Sequence, residues 1–109
     1  MATTYKVLGQ SAPSATTNTD VYTVGSGKST VISTISVCNR GTSSATYRIA
    51  IRVAGGAIAN EDYIVYDSTV PANDTISLTL GITLAATDVV TVYASNTNLS
   101  FNLFGSEIA

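Results

Sequence analysis

The segment Gly25-Ser26-Gly27-Lys28-Ser29-Thr30 ends like a phosphate-binding loop, and is the nearest this chain comes to a catalytic signature. That loop needs a glycine five positions before Gly27, where Tyr22 stands, and a helix after the lysine so that amide N–H groups can cradle phosphate. A β-branched run follows instead, so a hairpin loop is expected. Zinc chemistry lacks its ligands: there is no histidine, and Cys38 is the one cysteine. Glu61, Asp62 and Asp67 offer oxygens but not the dense spacing of a calcium loop, and are expected to be solvated loop carboxylates. Serine and threonine abound, yet without histidine a nucleophile has no ordinary base, and neither Lys6 nor Lys28 is singled out as a substitute. No cofactor, metal or catalytic residue is assigned, and the expectation is a protein that is not an enzyme.

Binding chemistry is better represented. Arg48 and Arg52 fall on one outward face of a strand, about 13 Å apart, and arginine is enriched at protein interfaces. Tyr63, Tyr66 and Tyr93 could line a surface, as aromatic rings do in contact sites and sugar-binding modules. These five residues form the expected interface, set against the plainer expectation of a solvated face and packed rings. Tyr47, on an apolar face, is expected in the core.

The composition says what such residues would touch. Only 11% of the 109 residues are charged, against roughly 25% in ordinary domains. A surface made mostly of hydroxyls and amides resists association poorly, which favours a protein that meets other protein. The net charge is −2 with five basic residues, so nucleic acid is not an expected partner. No apolar run approaches the ~20 residues of a membrane span. The lone cysteine excludes an internal disulfide. The first six residues lack the apolar segment of a secretory signal, so release by ordinary secretion is not expected.

The elements that must position these residues are strands. In residues 88–107, Val90 and Val92 share one face, then Leu99, Phe101 and Leu103 share another, with the turn formers Ser95-Asn96-Thr97-Asn98 between. This period of two reads as a β-hairpin that supplies much of the core. Earlier, residues 5–8 read as a short strand, 9–18 as a loop, 20–24 and 30–38 as strands. In the latter, Val31, Ile35 and Val37 share a face that Ser33 interrupts. Tyr47, Ile49, Ile51 and Val53 alternate with Thr46, Arg48, Ala50 and Arg52. Residues 57–62 could hold one helical turn, 63–66 a strand, and 75–80 a strand with Ile76, Leu78 and Leu80 inward. About eight short strands with turns every 8–12 residues predict an all-β antiparallel sandwich, jelly-roll-like, in one domain over 1–109, with 1–18 as an N-terminal arm.

The phrasing at both ends adds a resemblance. LGQSxPxATTxTxxYTV over 8–24, STISVCN over 33–39, residues 46–51, and VYASxxxLSFNLFGSEI within 88–108 are similar to small virion structural proteins of tailed, especially marine, bacteriophages. The resemblance implies a capsid decoration or cement protein, made in the host cytoplasm and carried on the capsid surface of the virion. Its partners would be the major capsid protein and itself, as a homotrimer. The alternative is a tail, neck or baseplate β-module that binds host glycan. The resemblance carries over no site residues.

Overall fold

A computed structural model describes residues 2–109. Eight strands follow one another: β1 (Thr3–Ser11), β2 (Thr19–Thr23), β3 (Ser29–Asn39), β4 (Ala45–Arg52), β5 (Tyr63–Val70), β6 (Thr75–Leu84), β7 (Val89–Ala94) and β8 (Leu99–Ile108). Between β4 and β5 lie two single 3-10 turns, Val53–Gly55 and Asn60–Asp62. Folded double about that connection, the chain is one antiparallel ribbon in which β1 pairs with β8, β2 with β7, β3 with β6 and β4 with β5. Rolling the ribbon adds the β3–β8 and β4–β7 pairings. Two four-stranded sheets result, ordered β1-β8-β3-β6 and β2-β7-β4-β5. This is a jelly-roll winding of a β-sandwich, as the strand count and spacing predict. The 19 Å thickness of the molecule suits two sheets about 10 Å apart with side chains on their outer faces.

The winding corrects one expectation at once. β7 and β8 are not a hairpin: β7 lies in one sheet and β8 in the other. The polar turn between them carries the chain across the sandwich, because each arm has one apolar face and the two faces are buried by facing each other. Residues 25–28 likewise cross between sheets and do not close a hairpin; the Lys28 N–H donates to the Gly25 carbonyl, and Gly27 takes φ +74°. The first strand is longer than its alternation suggests. It pairs with β8 from Thr3 to Ser11, so of the described residues read as an arm only Ala2 and 12–18 lie outside a strand. Their Thr16 N–H donates to the Ala94 carbonyl.

Val24, Ile32, Ile35, Val37, Tyr47, Ile49, Val70, Val90, Val92, Leu99, Phe101 and Leu103 form the sealed centre. Tyr47 and Phe101 meet edge to face across it, 6.2 Å between centroids, an arrangement aromatic quadrupoles favour. Burial raises the Tyr47 hydroxyl above its usual pKa. Phe104, the other phenylalanine, lies on the outer surface, 37% exposed.

Bulges decide which residues reach this core. In sheet β1-β8-β3-β6, Leu8 is extra on β1, Ser33 is extra on β3, and Leu80-Gly81 oppose Ser33 from β6. One inserted residue turns the following side chains to the other face. Ile32 therefore joins Ile35 and Val37 inside, and Val31 does not. Leu80, expected inward, is left 48% exposed, and Ile82 packs on the core instead. Val53 is also outside, because the strand ends at Arg52. Beside the bulges, a Cβ on Gly105 would run into the Val31 carbonyl oxygen, and one on Gly9 into that of Val21. These two glycines let backbones approach where no side chain fits.

Two buried polar side chains, Asn39 and Asp88, are tied to the backbone. Asn39 donates to the Ser43 and Val70 carbonyls at 2.9 and 3.1 Å and accepts from the Gly41 N–H at 2.9 Å. Asp88 accepts from the Ala54 and Ala85 N–H groups at 2.8 and 2.9 Å, joining the β6–β7 turn to the first 3-10 turn.

Urea denaturation should rank three variants by these contacts. Phe101→Ala is expected to cost about 3–5 kcal/mol through the cavity it leaves. Gly105→Ala should cost about 1–3 kcal/mol or more through overpacking against backbone. Tyr5→Ala, at an 84% exposed site, should stay within about 0.5 kcal/mol of the parent.

Candidate functional site

The outer face of sheet β2-β7-β4-β5 gathers four of the five residues expected at an interface. On β4, Arg48 stands opposite Tyr93 of β7. On its other side the β4–β5 register jumps from Tyr47–Ser68 to Ile49–Val65, so Tyr66 and Asp67 together face Arg48. Asp67 takes φ +54° to make this bulge, a left-handed conformation that aspartate tolerates better than most residues. The bulge aims a ring and a carboxylate at one guanidinium.

The geometry follows. Arg48 Nε donates to Asp67 Oδ1 at 2.7 Å and Nη2 to Oδ2 at 3.3 Å, a two-pronged pair. The guanidinium carbon lies 4.3 Å from the Tyr66 ring centroid and 4.2 Å from that of Tyr93. Tyr63 meets Tyr66 edge to face at 4.9 Å. The hydrogen bond to Asp67 raises the Arg48 pKa further above its already high ordinary value. Cation–π contact with two rings and the Asp67 fork hold a flexible side chain in one position. Tyr66 is 59% exposed and Ile64 beside it is also exposed. The result is a fixed knob of arginine and tyrosine on an open face. Arginine and tyrosine are the residue types that dominate binding energy at protein contacts.

Arg52 is not part of that knob. Its Nη2 lies 2.9 Å from both Asp20 carboxylate oxygens, its Nε donates to Thr91 Oγ1 at 3.0 Å, and its Nη1 donates to the Gly55 and Gly56 carbonyls. Asp20 also accepts from the Thr91 hydroxyl at 2.8 Å. These bonds consume Arg52 in joining β2, β7, β4 and the first 3-10 turn, which is a fold-holding role. The shared face was legible from alternation; the different fates of its two arginines were not. Asp67 carried a signal in hindsight, since a carboxylate in mid-strand is unfavourable and marks a bulge.

A second polar cluster closes one end of the sandwich. Tyr22 of β2 crosses to the other sheet, where its hydroxyl donates to Glu107 Oε2 at 2.6 Å and lies 2.7 Å from Thr30 Oγ1. Lys6 Nζ sits 3.0 Å from Glu107 Oε1. Burial first, then the bond to Glu107, pushes Tyr22 up to about 12. The Tyr22 bond first, then Lys6, holds Glu107 below its ordinary range. Nothing in the sequence connects these four residues. Elsewhere, Asp62 accepts from the Ala59 N–H, and among the described residues no three His, Cys, Asp or Glu side chains converge. No helix among the described residues is long and apolar enough to cross a membrane.

Comparison with known proteins finds no family model, curated protein or solved structure that matches this chain.

Two measurements check these roles. Arg52→Ala should lower unfolding free energy by about 1–2 kcal/mol through lost hydrogen bonds. Thermal melts against pH should follow the Tyr22–Glu107 pair. A raised tyrosine gives stability that is full below pH 10 and lost as pH climbs towards 12; a lowered carboxylate gives stability present above its ordinary 4.5 and lost in acid. Tyr22→Phe should remove this tyrosine's share of the alkaline slope and weaken the acid one.

Proposed function

We infer that this chain is a non-enzymatic virion structural protein, a cement or decoration protein that binds the outer surface of the major capsid protein and stabilises the shell. The single observation that carries the contact role is the Arg48 knob. A bulge, an ion pair and two rings fix one guanidinium on an exposed face, so little side-chain entropy remains to be lost on binding. The low charge content, the jelly-roll winding that recurs in capsid and lectin domains, and the phage-like phrasing of both ends support the virion assignment. Interface buried against the shell would stabilise it by mass action. Three of the carboxylates are engaged in holding the fold: Asp88 on backbone amides, Asp20 on Arg52, Glu107 on Tyr22 and Lys6.

One observation favours a second reading. Tyr66, 59% exposed, could stack a sugar, as in a tail, neck or baseplate module that binds host glycan. Arg48 already lies over Tyr66 and Tyr93, which leaves less ring area for a sugar and makes this the weaker reading.

Quantitative mass spectrometry of purified particles separates the two. About one copy per major capsid protein is expected for a decoration protein, and a handful per particle would overturn the capsid assignment. Isolated protein added to undecorated capsids should bind, and Arg48→Ala or Tyr66→Ala should weaken that binding at least about tenfold while the melting temperature stays near the parent's. Unchanged binding would remove this face from the contact.

A further inference from the structure

The outer face of sheet β1-β8-β3-β6 is built unlike the one that carries Arg48. Strand pairing sets its outward side chains in rows. Tyr5, Ser106, Val31 and Thr83 form one, and Val7, Phe104 and Thr34 the next. Asn102, Ser36 and Ser77 follow, with Gln10 beside Asn102. These rows contain no charged side chain. A groove of about 380 Å³ lies between the first two, lined by Tyr5, Val31, Ser33, Phe104 and Ser106. Lys6 stands at its rim, with its ammonium 3.0 Å from Glu107 Oε1. Two aromatic rings flank the groove, and neither belongs to the core: Tyr5 is 84% and Phe104 37% exposed. Among the described residues neither meets another ring or lies under a cation, whereas Arg48 covers Tyr66 and Tyr93. The register makes them diagonal neighbours, about 7–8 Å apart. The polar groups beside them are held in place. Ser33 Oγ donates to the Phe104 carbonyl at 3.1 Å, and Gln10 Nε2 to Asn102 Oδ1 at 2.7 Å.

We propose that this groove binds a neutral carbohydrate chain, with one sugar ring stacked on Tyr5, the next on Phe104, and their hydroxyls bonded to Ser33, Ser106, Gln10 and Asn102. The chemistry of the face selects this ligand. A nucleic acid, an anionic lipid or an acidic glycan needs unpaired cations, and the one cation at the groove is already paired. A strand from another protein needs free backbone donors and acceptors, and β8 and β3 beneath the groove are paired on both edges. A wholly apolar partner would exclude water from the neighbouring hydroxyls and amides without replacing its bonds. A sugar meets both demands, because its C–H face covers a ring while its hydroxyls donate and accept. Apolar grooves with a few placed polar groups are the usual form of such sites. The groove lies on the sheet opposite to the Arg48 knob, so both can be occupied at once, and it does not depend on the capsid assignment.

An array of neutral hexose and N-acetylhexosamine oligosaccharides, printed beside sialylated and sulfated ones, tests it. Amide chemical-shift mapping then uses the neutral oligosaccharide retained best. Retention of neutral chains is expected, with shifts centred on Tyr5, Val31, Phe104 and Ser106. Tyr5→Ala, which keeps the parent's stability, should weaken binding at least about tenfold, and Tyr66→Ala on the opposite sheet should leave it unchanged. The proposal is overturned if no neutral chain is retained, if only acidic chains are, or if Tyr5→Ala binds like the parent. Loss of binding in Tyr66→Ala alone would place the sugar on the Arg48 face and overturn it too. So would an oligomer in sedimentation velocity that Tyr5→Ala dissociates, since a second copy would then fill the groove. Binding to undecorated capsids is read separately, so the decoration reading stands or falls apart from these outcomes.

Discussion

Regular pairing gives every strand residue one opposite number, and a side chain that must reach beyond it needs an extra residue in the ladder. This constraint governs the molecule. Ser33, Leu8 and the Leu80-Gly81 pair bend one sheet so that Ile32 and Leu8 turn inward. Val21 does the same for β2, where the register slips between Asp20 and Tyr22, and places the Tyr22 ring so that its hydroxyl crosses to Glu107. The Tyr66-Asp67 bulge puts two side chains on one arginine. Without these insertions the core residues of neighbouring strands would fall out of alignment and the knob would not be fixed.

The same insertions mark the boundary of what the amino-acid order conveys. Strand positions, the all-β class and the apolar faces of β4, β7 and β8 follow from alternation, because burial on one face leaves a period of two that survives any topology. Which strand pairs with which does not follow. Residues 88–103 alternate equally well as a hairpin or as two strands facing across a core, and only the global winding chooses the second. Alternation also fails wherever a bulge intervenes: it groups Val31 with Ile35 and Val37 and points Leu80 inward, whereas Ile32 joins the core in place of Val31 and Leu80 is about half exposed. The break at Ser33 was visible; that it displaces every later residue by one face was not. At the candidate site, Arg48, Tyr63, Tyr66 and Tyr93 come together through the pairing register and the β5 bulge, neither of which is readable from their spacing. Arg52 departs from them because Asp20, distant in sequence, takes its charge.

The buried polar residues of this protein are spent on its own architecture. Asn39 and Asp88 satisfy backbone groups that the crossovers leave unpaired, and all buried side-chain polar atoms among the described residues have partners. Such closure keeps a domain rich in hydroxyls in one conformation, since an unsatisfied buried donor or acceptor costs about 1–3 kcal/mol. On the outer face of sheet β2-β7-β4-β5 the Arg48 knob remains, a cation paired with Asp67 between two tyrosine rings.

The central claim is that the Arg48 face is what this protein turns towards a larger assembly. A cryo-electron microscopy map of the intact particle at side-chain resolution tests it most directly. The account predicts density for this chain across the outer capsid surface, with Arg48, Tyr66 and Tyr93 buried against the major capsid protein. Density confined to the tail, or a chain on the shell whose Arg48 face points into solvent, would contradict it.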